Sequence, residues 1–211
     1  MPTDAPYRGT ITREQWLLRE TRAVARLRAD AAGSGKPLEL ADVVDLAAEE
    51  NIFQYPTERE VKSIARACWR RLDALSDDPA LRNRLIDLVA AGTPDQARQV
   101  NLYALARDNR IVWEFLVVEV ARKFQGFDES LPRREIVAFL EGLRVQDERA
   151  ARWSDATLNK IRQVLTACLV ECGMYDRRAE TLLRPLLDLT LEQAMRANGD
   201  QALLPAFGAA E

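Results

Sequence analysis

A chain of 211 residues, 47% hydrophobic and 30% charged, has core enough for one large or two small globular domains and is no disordered polymer. Its net charge of −3, with a pI near 5.3, excludes a dedicated non-specific nucleic-acid coat, so nucleic-acid binding would have to rest on local basic patches. The complete absence of histidine removes Ser–His and Cys–His nucleophiles, imidazole general bases and every His-containing metal site.

Helix signals run from end to end. Thr12 with Gln15 has the form of a capping box and predicts a helix from about Arg13 to Asp30. Gly33-Ser34-Gly35-Lys36-Pro37 reads as a loop. It is no phosphate loop, because Asp30 and Pro37 stand where that motif needs a glycine and a hydroxyl. A short helix is expected from Glu39 to Glu50, then a turn from Asn51 to Pro56. Thr57 with Glu60 caps the next helix, which carries Val61, Ile64, Cys68, Leu72 and Leu75 at helical spacing.

Asp78-Pro79 opens another helix that stops near Gly92, and Thr93-Pro94 starts one reaching about Arg107. The apolar run from Ile111 to Phe124 predicts a central buried helix, since Glu114, Glu119 and Arg122 fit no period-two alternation. That run is too short and too charged to span a membrane. Met1 to Gly9 is polar and lacks the charged-then-apolar pattern of a secretory leader. Gly126 to Pro132 is the expected boundary between an N-terminal domain, 1–128, and a C-terminal domain, 129–211. Pro132 starts a helix to about Leu143, and a charged connector runs from Val145 to Trp153. Ser154 or Asp155 caps a helix burying Leu158, Ile161, Leu165, Cys168 and Cys172, and Gly173 ends it. Short strands after Gly173 would form a small wing, followed by a last helix from Leu191 to Ala197. The fold class is all-α, with helix-turn-helix-like segments.

Three cysteines, Cys68, Cys168 and Cys172, form no paired framework and suit a reducing cytoplasm. Cys168 and Cys172 share a helix face and read as buried small side chains. The reading predicts no catalytic residue, no metal and no cofactor.

Three groups of residues suit nucleic acid. Arg19, Arg22 and Arg26 fall within about 60° of one another on the first helix, a stripe that can follow phosphates. Arg59, Lys62 and Arg66 lie on the exposed side of the capped helix after Thr57. Thr157, Asn159, Lys160, Arg162 and Gln163 lie on the exposed side of the helix after Ser154. Cations and short polar groups on the first half of a second helix suit entry into a groove.

Several stretches together resemble one family. They are Tyr7-Arg8-Gly9-Thr10-Ile11-Thr12, Asn51-Ile52-Phe53-Gln54, Asn101-Leu102-Tyr103-Ala104-Leu105 before Trp113-Glu114-Phe115-Leu116, and the block from Trp153 to Gly173. Their order and spacing are similar to the BREX phage-exclusion protein A family of bacterial phage-defence islands. The resemblance implies an all-helical fold in two lobes, binding to double-stranded DNA, and work beside a methyltransferase, an ATPase and other BREX defence proteins. It implies no catalytic residues. Some members carry an inner-membrane label, to which this sequence lends no support. Two other roles fit the residues: an adaptor between defence proteins, and a helical RNA binder, since phosphate contacts alone do not separate RNA from DNA.

Overall fold

The structure, a computed structural model, describes residues 5–210. Among them are ten α-helices and one two-stranded antiparallel sheet, so the all-α expectation holds. None of the described helices is long and apolar enough to cross a membrane.

Residues 17–104 form one compact unit. It contains α1 (Leu18–Gly33), α2 (Leu40–Glu49), α3 (Glu58–Asp73), α4 (Pro79–Ala91) and the start of α5 (Pro94–Asp108). Local chemistry explains most of these boundaries. Thr57 accepts the Glu60 N–H at 3.3 Å, and Asp78 accepts that of Ala80 at 2.8 Å ahead of Pro79. Thr93 and Gln96 exchange bonds of 2.9 and 3.2 Å as a reciprocal capping box. The core of this unit is Val24, Val43, Val61, Ile64, Cys68, Leu72, Leu85 and Val89, each buried at helical spacing. Burial of side chains of this kind contributes roughly 1.5–3 kcal/mol each.

The first helix differs from its expectation. The Thr12 hydroxyl donates back to the Gly9 carbonyl at 2.9 Å and closes a 3-10 turn, Gly9–Thr12, instead of capping a helix. Helix α1 begins only at Leu18, after Leu17 takes a left-handed conformation at φ 48°.

The second unit joins the described residues 5–16 to 105–210. The expected boundary at Gly126–Pro132 therefore falls inside it. The N-terminal segment is tied to residues far along the chain: Tyr7 donates to Glu114 at 2.7 Å, and Arg110 stacks on the Tyr7 ring at 4.2 Å. Arg8 reaches the backbone carbonyl of Asp108. The buried run is α6 (Arg110–Glu114), a π-helical segment (Phe115–Ala121) and α7 (Arg122–Gln125), and it packs on a C-terminal 3-10 helix, Gln201–Phe207. Buried Lys123 is held by Asp128 at 2.8 Å and Glu135 at 2.7 Å, which bridges α7 to the next helix.

That helix is α8 (Arg133–Gln146). It is followed by a short 3-10 turn, Ala150–Arg152, within the expected connector, and then by α9 (Asp155–Glu171). Ser154 caps α9 by accepting the Thr157 N–H at 3.2 Å. Gly173, at φ +68°, ends it in the left-handed conformation that glycine adopts at least cost. The Met174 N–H then bonds back to the Leu169 carbonyl at 2.8 Å, the Schellman pattern. Strands β1 (Tyr175–Asp176) and β2 (Thr181–Leu182) follow, with Tyr175 paired to Leu182. Ser130 bridges to Thr181, so the segment before α8 lies on the outer edge of this ribbon. Asp188 caps α10 (Leu189–Ala197). Cys168 is buried as expected, whereas Cys172, at the end of α9, is only half-buried.

Candidate nucleic-acid interface

The three expected cationic groups differ in what surrounds them. On α1, Arg22 donates to the carbonyls of Ala90 at 3.3 Å and Gly92 at 3.2 Å, and Arg26 donates to Ala90 at 3.2 Å. These carbonyls end α4, where backbone acceptors lack intrahelical partners and the helix dipole favours cations. Arg19 donates to the Phe53 carbonyl at 3.3 Å. The stripe therefore fastens its own unit, with Arg19 and Arg26 still exposed and, among the described residues, no carboxylate pairing any of the three. Replacing Arg22 and Arg26 with alanine is expected to lower stability by about 1–3 kcal/mol, the range for hydrogen bonds from charged donors. An unchanged urea midpoint would contradict the capping role.

On α3, Lys62 is engaged by Glu58 at 2.7 Å and stands 3.9 Å from Asp45. The Glu58 carboxylate raises the lysine's pKa through a hydrogen bond and its charge. Arg59 and Arg66 are exposed on the same helix. This group is thus partly neutralised within its own unit.

The α9 group is differently placed. Leu158, Ile161 and Leu165 are buried, which leaves Asn159 and Gln163 exposed and Lys160 and Arg162 half-buried. Thr157 is the exception, since its hydroxyl lies 3.0 Å from that of Ser154 and serves the helix cap. Arg162 donates to Asn159 at 3.3 and 2.9 Å along the helix.

Packing adds cations that lie far from α9 in sequence. Arg133 and Arg134 open α8, and Arg177 and Arg178 occupy the turn between β1 and β2; all four are exposed. Arg133, Lys160, Arg162, Gln163, Tyr175 and Arg177 share a cleft of about 580 Å³. Glu180 also lines it, but one of its oxygens accepts the Arg133 backbone N–H at 3.2 Å and caps α8. Among the described residues, no carboxylate pairs with Arg133, Arg134, Lys160, Arg162, Arg177 or Arg178. Burial, and then the guanidiniums of Arg133 and Arg177, push the Arg162 pKa down from its usual value. The cleft thus gathers four cations, Arg133, Lys160, Arg162 and Arg177, against the carboxylate of Glu180, and an external anion would relieve the repulsion.

Sequence reading placed the α9 residues but missed Arg133, Arg134, Arg177 and Arg178. The available signal was two Arg-Arg pairs, one just after Pro132 at the start of α8 and one just after Asp176 at the end of β1. Among the described residues, no three His, Cys, Asp or Glu side chains are grouped to hold a metal ion.

Comparison with known proteins bears on the whole chain. A family model described as BrxA matches residues 5–199. A protein described as BREX protein BrxA, from Bacillus cereus (strain H3081.97), is 29% identical over 202 residues, covering 95% of each chain. A solved structure of an uncharacterized protein from Magnetospirillum magneticum superposes with a TM-score of 0.77 at 22% identity. It covers 95% of this chain and 97% of that one, and at this identity it speaks to the fold alone. With a family match across nearly its full length, this chain belongs to the BrxA family.

Proposed function

We propose that this chain is a non-catalytic, DNA-binding accessory protein of a BREX phage-defence system, acting in the cytoplasm. It holds duplex DNA through the cationic face built from the start of α8, the exposed side of α9 and the ribbon turn. The observation that carries this reading is the gathering of Arg133, Lys160, Arg162 and Arg177 around one cleft, with no ion-pair partner among the described residues. The order of helix, helix and two-stranded ribbon suits it too. An α-helix fits the major groove, and cations on flanking elements can reach the phosphates beside it. Asn159 and Gln163, exposed on α9, would read base edges, and Arg19, Arg26, Arg59 and Arg66, exposed on the other unit, are a separate candidate surface for phosphates. Membership of the BrxA family, with a relative described as a BREX protein, supports the defence role and other BREX proteins as partners.

The test is equilibrium binding of the full chain to duplex DNA across a salt series. A linear, steep fall of log K with log salt is expected, because each neutralised phosphate releases counterions. Absence of binding at low salt overturns the reading, and tighter binding to duplex RNA replaces DNA with RNA. An adaptor role has its own support in the exposed apolar side chains Phe127, Leu183, Leu186 and Leu189, of which Phe127 and Leu186 are 90% and 92% exposed.

A further inference from the structure

The ribbon turn presents two neighbouring arginines to different surroundings. Arg177 lines the cleft with Arg133, Lys160 and Arg162, while Arg178 stands outside it, exposed. The turn that carries them is held firmly. Asp176 accepts the backbone N–H of Arg178 at 2.8 Å and of Ala179 at 3.0 Å. These two donors, Ala179 first, hold the Asp176 carboxyl below the usual carboxylate range. Glu180 takes a left-handed conformation at φ 54°, which closes the loop. The second strand is tied down on its far side as well: Leu131 donates to the Glu180 carbonyl at 2.9 Å and Leu182 to that of Glu129 at 2.7 Å. Tyr175 adds a bond to the Leu131 carbonyl at 2.9 Å. The Arg178 guanidinium is thus carried on an ordered support and has no hydrogen-bond or ion-pair partner among the described residues.

We infer that Arg178 reads the minor groove, inserting its guanidinium into a narrow, A·T-rich stretch beside the major groove that receives α9. This rests on the DNA-binding reading above and adds a specificity-determining residue to it. The division of labour follows from placement. Arg177, inside the cationic cleft, neutralises phosphate and carries no sequence information. Arg178, on a tip two strands wide, can pass the backbone into the next groove. A narrow minor groove over A-tracts has an enhanced negative potential, and a planar guanidinium that is weakly hydrated enters it at low cost.

The experiment measures binding of the full chain, at one low salt concentration, to two duplexes of equal length, one with a central A-tract and one with only G·C pairs. The wild type is expected to prefer the A-tract by about fivefold or more, the low end of what one base-pair position contributes. Arg178→Ala should reduce that preference to about twofold or less, and Arg178→Lys should restore part of it. Arg177→Ala should weaken both duplexes alike. A minor-groove ligand such as netropsin should compete on the A-tract duplex with the wild type and not with Arg178→Ala. Equal binding of both duplexes by the wild type, or an undiminished preference in Arg178→Ala, overturns the inference and leaves DNA binding standing. Binding to neither duplex overturns both.

Discussion

Replacing Arg133, Arg162 and Arg177 together with alanine is expected to flatten the dependence of log K on log salt by about 2–3 units, since each lost phosphate contact removes about 0.9 of a unit. At ~0.1 M salt this amounts to a loss of affinity on the order of a hundredfold, similar on unrelated duplexes. The three residues come from α8, α9 and the ribbon turn, yet burial and the guanidiniums of Arg133 and Arg177 already depress the Arg162 pKa. Removing like charges that have no acid partner should leave thermal stability unchanged or slightly raised. That control separates the effect from unfolding. The α1 stripe provides the contrast: the triple variant of Arg19, Arg22 and Arg26 lowers stability because its guanidiniums cap α4 and hold the Phe53 carbonyl. If the Arg133, Arg162 and Arg177 variant keeps the wild-type slope, the cleft is no phosphate site. If the α1 variant alone flattens the slope, the interface belongs to the other unit.

Asp200→Ala is expected to destabilise the protein by about 3–5 kcal/mol, the cost of removing one member of a buried ion pair. Asp200 accepts from Arg107 at 2.6 Å, with side chains 1% and 11% exposed. The pair joins the last turn of α5 to the start of the C-terminal 3-10 helix, Gln201–Phe207. That helix packs on the π-helical segment Phe115–Ala121, so its loosening reaches the buried centre of the unit. A fall in Tm on the order of 10 °C should follow in a thermal melt. Arg107→Met is expected to cost a comparable amount, because it removes the guanidinium that faces the buried carboxylate at 2.6 Å. The double variant Arg107→Met with Asp200→Leu should recover much of the loss, since apolar replacement of both partners leaves no buried charge. A single variant with a wild-type Tm would show that the pair contributes nothing.

Most helix boundaries were legible in the sequence because they are set by contacts within three or four residues. Thr57 with Glu60, Asp78 before Pro79, Thr93 with Gln96, and Ser154 ahead of α9 each satisfy backbone donors that any helix start leaves open. Thr12 had the same local pattern and failed. Its hydroxyl has a second option, the Gly9 carbonyl, and burial of Tyr7 and Ile11 holds the segment in the conformation that uses it. A boundary at Gly126–Pro132 was reasonable for a glycine- and proline-marked loop. The compact units divide elsewhere, because Tyr7 and Arg8 pair with Glu114 and Asp108, about a hundred residues along the chain.

The candidate site divides the same way. The sequence by itself determined the helical class, the buried and exposed faces of α9, and the absence of any imidazole chemistry. Each follows from residue type or from a period of 3.6. Which cations are engaged was decided largely by the tertiary structure. Arg22 and Arg26 meet carbonyls at the end of α4, whereas Lys62 meets Glu58 one turn back on its own helix, an i,i+4 spacing already present in the sequence. Arg133 and Arg177 share a cleft with Arg162 and act on its charge. Charge acts through space and depends on distance and burial. The partners of these side chains lie up to 70 residues away along the chain, a separation that no local pattern encodes.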